Sequence, residues 1–380
     1  MIKSYKIRIY PTKNQEQKLW QHIGACRYIW NYMLDYQIKL REQGEKHLSA
    51  FGMINHLKPL KQDGEHGWLY EVSNTSLQHV CRDLDKAYSG FFKKQTGFPK
   101  FKSRKRVKPA FPVNTENFYI KDYRVLNIEK VGKIRYRTDF NLPIGRRIAK
   151  FYNVRVSYKN GKWMVSFGLE CESQAYELTD INMGIDLGVK DLATVEFNGE
   201  HIAFNNINKS KRMRSLQKRL KHTQRTISRK YEQNRQGRSY VKTNNIIREE
   251  DKLRRIYARI TDTRTNYIHQ TTHTLVSMNP KIVVMEDLNV SGMMKNKHLS
   301  KVIAEQCFYE FIRQMKYKCE WNGIEFVQAD RFYPSSKTCS GCGCIKSDLK
   351  LGDRTYICPV CGLVINRDYN AAVNLSRYVA

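Results

Sequence analysis

The stretch Cys358–Leu375, CPVCGLVINRDYNAAVNL, joins a pair of cysteines to a single carboxylate near the end of the chain. Its first four residues form a C-x2-C knuckle, and Asp368 follows Cys361 by seven positions. Asp368 lies at the start of an Ala-rich segment, a composition that favours an α-helix. The stretch therefore predicts half of a metal-binding ribbon that leads directly into a helix carrying an acidic residue.

A second C-x2-C knuckle lies upstream, and 15 residues separate the two. The predicted ligands are Cys339, Cys342, Cys358 and Cys361. Four thiolates at this spacing can surround a tetrahedral Zn²⁺, and the glycine after each knuckle, Gly343 or Gly362, suits a tight turn. Because sulfur fills all four positions, the sequence predicts one structural Zn²⁺ with no place for a reactive water. Cys344, a fifth thiol nearby, is interpreted as a bystander.

The charge of the chain is its strongest compositional signal. It has 67 Lys and Arg residues against 36 Asp and Glu residues, a formal net charge of +31. An excess of this size indicates a polyanionic partner, and nucleic acid is the expected one. The 380 residues, with a hydrophobic fraction of 41%, allow two or three folded domains and exclude wholesale disorder.

The cysteines also indicate the compartment. Five of the ten lie between Cys339 and Cys361 and five are scattered, which is typical of a reduced intracellular protein with one metal site. The N-terminal residues lack the apolar core of a signal peptide, and no run of about 18 apolar residues occurs. The sequence therefore predicts a cytoplasmic protein with no membrane partner.

Residue patterns divide the first half of the chain. KSYKIRIYP alternates like a strand, residues 14–96 are mostly helical in pattern, and residues 111–172 contain short strand-like runs. Asn160-Gly161 is a strong β-hairpin signal. A small β-barrel that includes the first strand accounts for this arrangement, with the helical segment inserted into it.

The pattern changes at Ile181. INMGIDLGVKDLATVEF and EHIAFNN predict three successive strands, and a long helical region from 208 to about 277 follows. KIVVMEDL predicts a buried strand, residues 298–322 a helix and IEFVQA another strand. The cysteine segment and the last helix complete the chain.

Three acidic residues occupy similar places at the ends of predicted elements. Asp186 follows the apolar run of one strand, Glu286 ends that of another, and Asp368 begins the last helix. Any one of them alone is best read as an exposed boundary residue. Together they fit phosphodiester hydrolysis by two divalent ions, in which clustered carboxylates hold the ions about 3.5–4 Å apart.

These motifs carry a resemblance to a known family. GIDLGVKDLATV, VVMEDLNVSGM and RDYNAAVNL, with the cysteine ribbon before the last of them, resemble the RuvC-like nuclease core of the TnpB family. TnpB proteins are encoded by insertion sequences and are related to type V CRISPR effectors. The N-terminal segment YKIRIYPTKNQEQKLW, the segment LDKAYSGFFKKQTGFPKFKSRK and RFYPSSKTCSGCG resemble other parts of the family, so the likeness extends over most of the chain.

The resemblance implies an α+β multidomain fold. A β-barrel (wedge-like) domain is expected at 1–13 and 97–178, with a helical recognition domain inserted at 14–96. An RNase H-like α/β (RuvC-like) nuclease domain is expected at 179–330 and 367–380, with a zinc ribbon inserted at 331–366 that binds target nucleic acid.

By motif position, Asp186, Glu286 and Asp368 match the family's first, second and third catalytic carboxylates. They would hold two Mg²⁺ (or Mn²⁺) ions. Asp287 is interpreted as a neighbour and not as a ligand. The chain departs from many relatives at Asn366, where an acid is common; since the R-D-x-N-A-A core is intact, we expect little effect.

The resemblance implies the activity of an RNA-guided double-strand DNA endonuclease. The expected location of the protein is the cytoplasm of a prokaryote, in association with the nucleoid. Such a protein takes its guide RNA from the end of its own element and recognises a short motif beside the target. Base pairing then reads the sequence, and the protein holds the heteroduplex by its shape and backbone. One protein per guide RNA is expected.

Basic segments are the expected nucleic-acid contacts, because Lys and Arg displace counterions from phosphates. Lys100–Lys108 contains six basic residues and no acid, and Lys209–Lys230 contains ten and no acid. Ser76 and Gln78 lie in a segment that resembles the family's reader of the target-adjacent motif. The candidate contacts are Ser76, Gln78, Lys100, Lys102, Arg104, Lys105, Arg106, Lys218, Arg219 and Arg225.

Two alternatives belong to other functional classes. One is a nuclease-inactive, RNA-guided DNA-binding protein that regulates transcription, and the complete set of three carboxylates favours the enzyme over it. The other is a tyrosine transposase, which the absence of a His-x-His metal pair from the sequence disfavours.

Overall fold

The computed structural model describes residues 2–121, 124–138, 142, 150–171, 176–350 and 352–378. It divides into two compact units, Met1–Glu172 and Ser173–Ala380. The remaining positions lie outside the described residues. They include parts of the predicted barrel domain, one residue of the ribbon and the last two residues of the predicted nuclease domain. The α+β class expected from the sequence is confirmed, since both units combine helices with sheets.

The described residues of the first unit form three long helices and a seven-stranded antiparallel sheet with the order β2-β6-β7-β1-β5-β4-β3. Its elements are β1 Ile2–Tyr10, α1 Lys13–Glu42, α2 Ala50–Gln62, α3 Asn74–Phe92, β2 Ala110–Pro112, β3 Tyr119–Lys121, β4 Val125–Ile128, β5 Gly132–Arg137, β6 Phe151–Lys159 and β7 Lys162–Glu170.

The first strand lies inside this sheet, as predicted. β1 pairs with β7 on one side and β5 on the other, and its alternation places Ile7 and Ile9 in the core. The predicted hairpin between β6 and β7 is also confirmed: Asn160 and Gly161 both have positive φ, 54° and 78°, as a two-residue turn requires.

The described strands do not show the barrel that the sequence predicts. The order runs from β2 at one edge to β3 at the other, and no pairing between described strands joins these edges. Strand patterns report which residues alternate, whereas closure depends on pairings between the first and last strands, which a pattern does not specify.

The helical segment follows the predicted pattern. α1 begins with a capping box in which the Gln15 amide donates to the Thr12 hydroxyl (3.3 Å) and the Thr12 amide donates to the Gln15 side chain (3.0 Å). In α3, the stripe of Leu77, Val80 and Leu84 is buried in the core. The helical spacing of these apolar residues accounts for which face of α3 packs inward.

A buried histidine ties α1 to the segment before α3. The ring of His22 is 1% exposed, Nδ1 lies 2.8 Å from the Lys18 carbonyl oxygen, and Nε2 accepts from the Ser73 amide at 3.2 Å. With Nδ1–H as donor and Nε2 as acceptor, this arrangement requires the neutral ring. Burial accordingly lowers the pKa of His22 below its ordinary value.

We expect acid to destabilise the first unit through His22. Since the folded pKa lies below the unfolded value of about 6.5, the unfolded chain binds the proton first, and stability falls as pH drops below that value, by at most about 1.4 kcal/mol per pH unit. Chemical denaturation between pH 7.5 and 5 measures this slope. His22→Gln should flatten it, and by more than His47→Gln, since burial also lowers the pKa of His47 but that residue is exposed. Equal slopes in wild type and His22→Gln would contradict the assignment.

The second unit contains a five-stranded mixed sheet with the order β10-β9-β8-β13-β14. β13 pairs in parallel with β8 and β14, and β9 is antiparallel to β8 and β10. Its elements are β8 Met183–Leu187, β9 Asp191–Phe197, β10 Glu200–Asn205, α4 Lys211–Gln233, β11 Arg235–Gln236, β12 Ser239–Tyr240, α5 Asn244–Val276, β13 Ile282–Glu286, α6 Val290–Met293, α7 Ser300–Gln306, α8 Phe308–Asn322, β14 Glu325–Ala329, β15 Thr355–Ile357, β16 Val364–Asn366 and α9 Arg367–Ser376.

One predicted helical region contains two helices, and one predicted helix is divided in the structure. The region 208–277 forms α4 and α5 with the short β11–β12 hairpin between them, and Gly237 in that hairpin has a φ of 60°. The helix predicted at 298–322 is broken at Cys307, whose φ of 55° is left-handed. The break lets buried Gln306 donate to the carbonyls of Gly188 and Val189 at 3.0 and 3.1 Å. Apolar periodicity does not detect such local breaks.

Among the helices that the structure describes, none has the length and apolar character needed to cross a membrane.

Candidate active site and metal centre

Two of the predicted carboxylates lie on neighbouring parallel strands. Asp186 is near the carboxyl end of β8, and Glu286 is the last residue of β13. These strands are in register, with Ile185 opposite Met285. Because adjacent parallel strands end at the same edge of a sheet, the two side chains meet there.

The third carboxylate begins the last helix. Asp368 lies in the first turn of α9, and the side chain of Asn366 caps this helix by accepting from the amides of Asp368 (3.0 Å) and Tyr369 (3.1 Å). Asn is among the preferred N-cap residues. The residue at which this chain departs from the family pattern therefore supports the helix that carries Asp368.

A glycine permits α9 to reach β8. A Cβ atom on Gly184 would lie 2.0 Å from the Ala372 carbonyl oxygen and 2.4 Å from the Ser376 amide nitrogen. The helix backbone therefore lies directly on the strand, two residues before Asp186. A glycine inside a buried strand is a known sign of close backbone approach, and it brings Asp368 to the edge that holds the other two carboxylates.

We expect Gly184→Ala to destabilise the second unit by about 3 kcal/mol or more, because a methyl group would displace helix backbone and not a flexible side chain. Thermal unfolding and limited proteolysis measure the loss. Gly352→Ala is the matched control, since nothing lies within 4 Å of the corresponding Cβ. If both variants unfold at the wild-type temperature, the close contact is wrong.

The electrostatics of the three carboxylates show their proximity. Burial, followed by the charges of Glu286 and Asp368, raises the pKa of Asp186 well above its usual range, while Arg367 opposes the shift. Asp368 also lies 3.7 Å from the Arg354 guanidinium, and Ser335 donates a hydrogen bond to the Glu286 carboxylate. Like charges crowded in a partly buried site are stabilised by bound cations, so the site can accept divalent metal.

The three carboxylates are spaced more widely than the cysteine ligands. Of the residues that the structure describes, only the four-cysteine set places three or more candidate ligand atoms all within 4.8 Å of one another. The carboxylate set is therefore wider. Asp287 instead pairs with Arg331 at 2.5 Å, which fits its interpretation as a neighbour.

The four predicted zinc ligands converge. The sulfur atoms of Cys339 and Cys361 are 3.6 Å apart, those of Cys342 and Cys358 are 3.5 Å apart, and all four lie within 4.8 Å of one another. A tetrahedron with Zn–S bonds of about 2.3 Å has edges of about 3.8 Å, so the set fits one Zn²⁺. Cys344 lies outside it, as interpreted.

The knuckle turns favour thiolate ligands. Gly343 and Gly362 have φ values of 76° and 71°, which confirms the predicted tight turns. The amides of Cys361 and Val360 donate to the Cys358 sulfur at 3.5 and 3.4 Å, and these hydrogen bonds lower the pKa of Cys358 to about 6. The two amide hydrogen bonds therefore favour the thiolate form of Cys358.

Two buried asparagines bind the start of the ribbon to α9. Asn370 accepts from the Ser340 amide (3.0 Å) and donates to the Thr338 carbonyl (2.7 Å). Asn374 donates to the carbonyls of Ser335 and Thr338, both at 2.7 Å. The first cysteine knuckle is thus hydrogen bonded to the helix that carries Asp368.

The candidate nucleic-acid contacts differ in exposure. The Ser76 side chain is 1% exposed and donates to the Pro112 carbonyl at 2.6 Å, so its hydroxyl is engaged within the protein. Gln78 and Lys102 are half-buried. The exposed candidates are Lys100, Arg104, Lys105, Arg106, Lys218, Arg219 and Arg225. On α4, Met213, Leu216, Thr223 and Ile227 form the buried face, and the basic residues lie on the others.

Sequence reasoning missed several residues of this site. Gly184 could have been identified from the sequence, because a glycine within a buried strand indicates close approach of another backbone. Asn370 and Asn374 could also have been identified, since two polar residues one turn apart interrupt an apolar helix face. Ser335 and Arg354 had no local signal, because their partners lie in distant segments.

Comparison with known proteins identifies the family. A family model described as "Probable transposase" matches residues 166–297, a Cas12f1-like TNB domain model matches 308–375, and a helix-turn-helix model matches 1–46. The chain is 32% identical over 98% of its length to a "Putative RNA-guided DNA endonuclease" of Streptomyces pristinaespiralis, covering 88% of that protein. It is 30% identical, with 98% and 91% coverage, to the Escherichia coli protein "Putative RNA-guided DNA endonuclease InsQ".

These matches define the class: a transposon-related protein with a zinc-ribbon domain of the Cas12f1 type. The chain belongs to the TnpB family, as its motifs predicted. The residues that match the helix-turn-helix model form one strand, β1, and the long helix α1.

The fold likeness extends to a solved structure. The chain in "Cryo-EM structure of the Cas12f1-sgRNA-target DNA complex" is similar with a TM-score of 0.60 at 14% identity, and the match covers 99% of this chain and 98% of that one. At this identity the match shows a shared fold.

Proposed function

We propose that the chain is an RNA-guided, metal-dependent endonuclease that cleaves both strands of guide-complementary DNA. One observation carries the proposal: Asp186, Glu286 and Asp368 approach one another at one sheet edge, where burial, followed by the charges of Glu286 and Asp368, raises the pKa of Asp186. A merely structural role does not require three carboxylates to approach one another. The names of the two relatives and of the Cas12f1 complex support guide RNA and target DNA as partners.

The chemistry follows from the residues at that edge. Two Mg²⁺ (or Mn²⁺) ions bound there would activate a water and stabilise the departing 3′ oxygen. Asp186, Glu286 and Asp368 provide the hard oxygen ligands that these ions prefer. Ser335 fixes the orientation of the Glu286 carboxylate, and Arg354 interacts with Asp368.

The remaining features have proposed roles in binding. The domains expected from the sequence would act as a barrel (1–13 and 97–178), a recognition domain (14–96), a nuclease domain (179–330 and 367–380) and a ribbon (331–366) that contacts the target. The exposed basic faces would hold phosphates of the guide RNA, which is transcribed from the end of the chain's own element, and of the target. Recognition of a short adjacent motif and one protein per guide belong to the same proposal.

Co-expression tests the proposal. The chain is produced together with the DNA that flanks its gene, and the RNA that copurifies is sequenced. With Mg²⁺, the complex should linearise plasmids that carry a matched target beside a randomised flank, and EDTA should stop the reaction. Sequencing the cut plasmids gives the adjacent motif and the cut positions.

Two outcomes would overturn the proposal. If no discrete RNA copurifies, the protein is not RNA-guided. If RNA copurifies and the complex binds matched DNA but leaves it intact with Mg²⁺ or Mn²⁺, the chain is an RNA-guided binding protein of the regulatory kind.

A further inference from the structure

The first unit contains a cationic cavity. Its volume is about 300 Å³, at the lower end of the range for ligand sites. The cations that line it are Arg27, Lys102, Arg104, Lys108 and Arg155. Asp83 is the only carboxylate on its described wall, and that group pairs with Arg155 at 2.7 Å. The other four cations have no carboxylate among the described residues within 4.0 Å.

The basic loop that forms one wall is fixed to α1. Asn31 accepts from the Lys102 amide at 2.7 Å and donates to the Lys102 carbonyl at 2.9 Å. The Trp30 indole donates to the Lys100 carbonyl at 3.0 Å. A loop held by three hydrogen bonds to one helix keeps its cations in place before any ligand arrives, which lowers the entropic cost of binding.

The Lys102 side chain packs against the Trp30 ring. Its ammonium lies 3.2 Å from the centre of the Trp30 ring. Burial lowers the pKa of Lys102 to about 8, since Asp83 offsets only part of the desolvation. A half-buried cation that costs free energy in the empty protein and lacks an ion-pair partner is stabilised when an anion binds beside it.

We propose that this cavity binds one backbone phosphodiester of the nucleic acid, with Lys102 and Arg104 as its principal donors. The size and the charge exclude a base pair but accommodate a phosphate with its neighbouring sugar. Arginine's planar fork suits phosphate oxygens, and the fixed ammonium adds a point charge. The inference rests on the proposed function for the identity of the polyanion, and it assigns one discrete phosphate contact where a diffuse basic surface would give many weak ones.

Charge-neutral linkages test the proposal. The complex is titrated with fluorescent 20-base-pair DNA duplexes, and the chain alone with the RNA that copurifies with it. In each set a methylphosphonate replaces one linkage at a time. Variants are Lys102→Met, which keeps the apolar stem on Trp30, and Arg104→Gln at an exposed position. Lys159→Gln, an exposed lysine at the β6–β7 hairpin, is the matched control for loss of one charge.

Each pocket variant should weaken binding about tenfold and reduce the salt slope by about one. At one linkage, neutralisation should weaken wild-type binding but cause no further loss in Lys102→Met. The duplex set and the RNA set show which strand provides that phosphate. Arg104→Gln should have the same thermal unfolding temperature as the wild type, which shows that the variant is folded.

The proposal is overturned if both pocket variants lose no more affinity than Lys159→Gln. It is also overturned if, at every linkage, the loss of affinity caused by the methylphosphonate adds in full to the loss caused by the substitution. This result is distinct from failure of the proposed function. A chain without guide RNA or cutting activity still binds DNA duplexes through its charge, and the linkage scan with duplexes alone then reports on the cavity.

Discussion

Asp186→Ala is expected to lose DNA cutting by at least about a thousandfold, equivalent to about 4 kcal/mol of transition-state stabilisation, while target binding stays within about threefold of wild type. Asp186 is the carboxylate whose pKa is raised by burial and by the charges of the other two. Under the proposed function, its removal would leave too few ligands to hold two ions. Plasmid cleavage and filter binding of the same guide complex separate the two effects.

The same substitution has a second readout that does not depend on cutting. Because the folded pKa of Asp186 is raised, ionising it opposes folding at every pH above the unfolded value of about 3.9. The metal-free Asp186→Ala chain should therefore unfold at the same temperature as wild type or higher. Added Mg²⁺ should raise the unfolding temperature of wild type and change that of the variant far less.

Asp287→Asn is the matched control. It removes an acidic charge beside Glu286, but its partner is Arg331 at the surface, so cutting should fall less than about fivefold. If Asp186→Ala still cuts, or if Asp287→Asn is as damaging, the assignment of the carboxylates is wrong.

Cys358→Ser is expected to remove zinc from the ribbon and to stop cutting as well. Metal analysis should find about one Zn per wild-type chain and little in the variant, because the folding free energy of a small ribbon comes largely from its metal. Proteolysis should then cleave within residues 331–366. Cutting should be lost because Thr338 and Ser340, next to Cys339, are hydrogen bonded to Asn370 on α9, the helix that carries Asp368.

Cys344→Ser separates a zinc ligand from a cysteine that is merely nearby. Cys344 contributes its backbone carbonyl, which accepts from the Cys339 amide at 2.8 Å, and its sulfur is outside the cluster. The serine variant should retain zinc, protease resistance and cutting. A wild-type ribbon that stays folded and metal-free after mild chelation would contradict the structural role of zinc.

The sequence predicted the local features of this protein well. Strand alternation in β1, the Asn160-Gly161 hairpin, the apolar stripe of α3 and the cysteine spacing each depend on residues close together in the chain. Patterns failed where a single residue changes the path, as at Cys307, and where strands from distant segments must pair, as in the seven-stranded sheet.

By itself, the sequence indicated the family and predicted the candidate ligands: four cysteines at ribbon spacing and three carboxylates at the ends of predicted elements. Only the tertiary structure decided that the carboxylates meet. Their approach depends on the parallel pairing of β8 with β13 and on the absence of a side chain at Gly184, where α9 contacts the strand. The same holds for Asn370 and Asn374. Whether a polar side chain is buried and bonded depends on which backbone packs against it, and no local pattern records that.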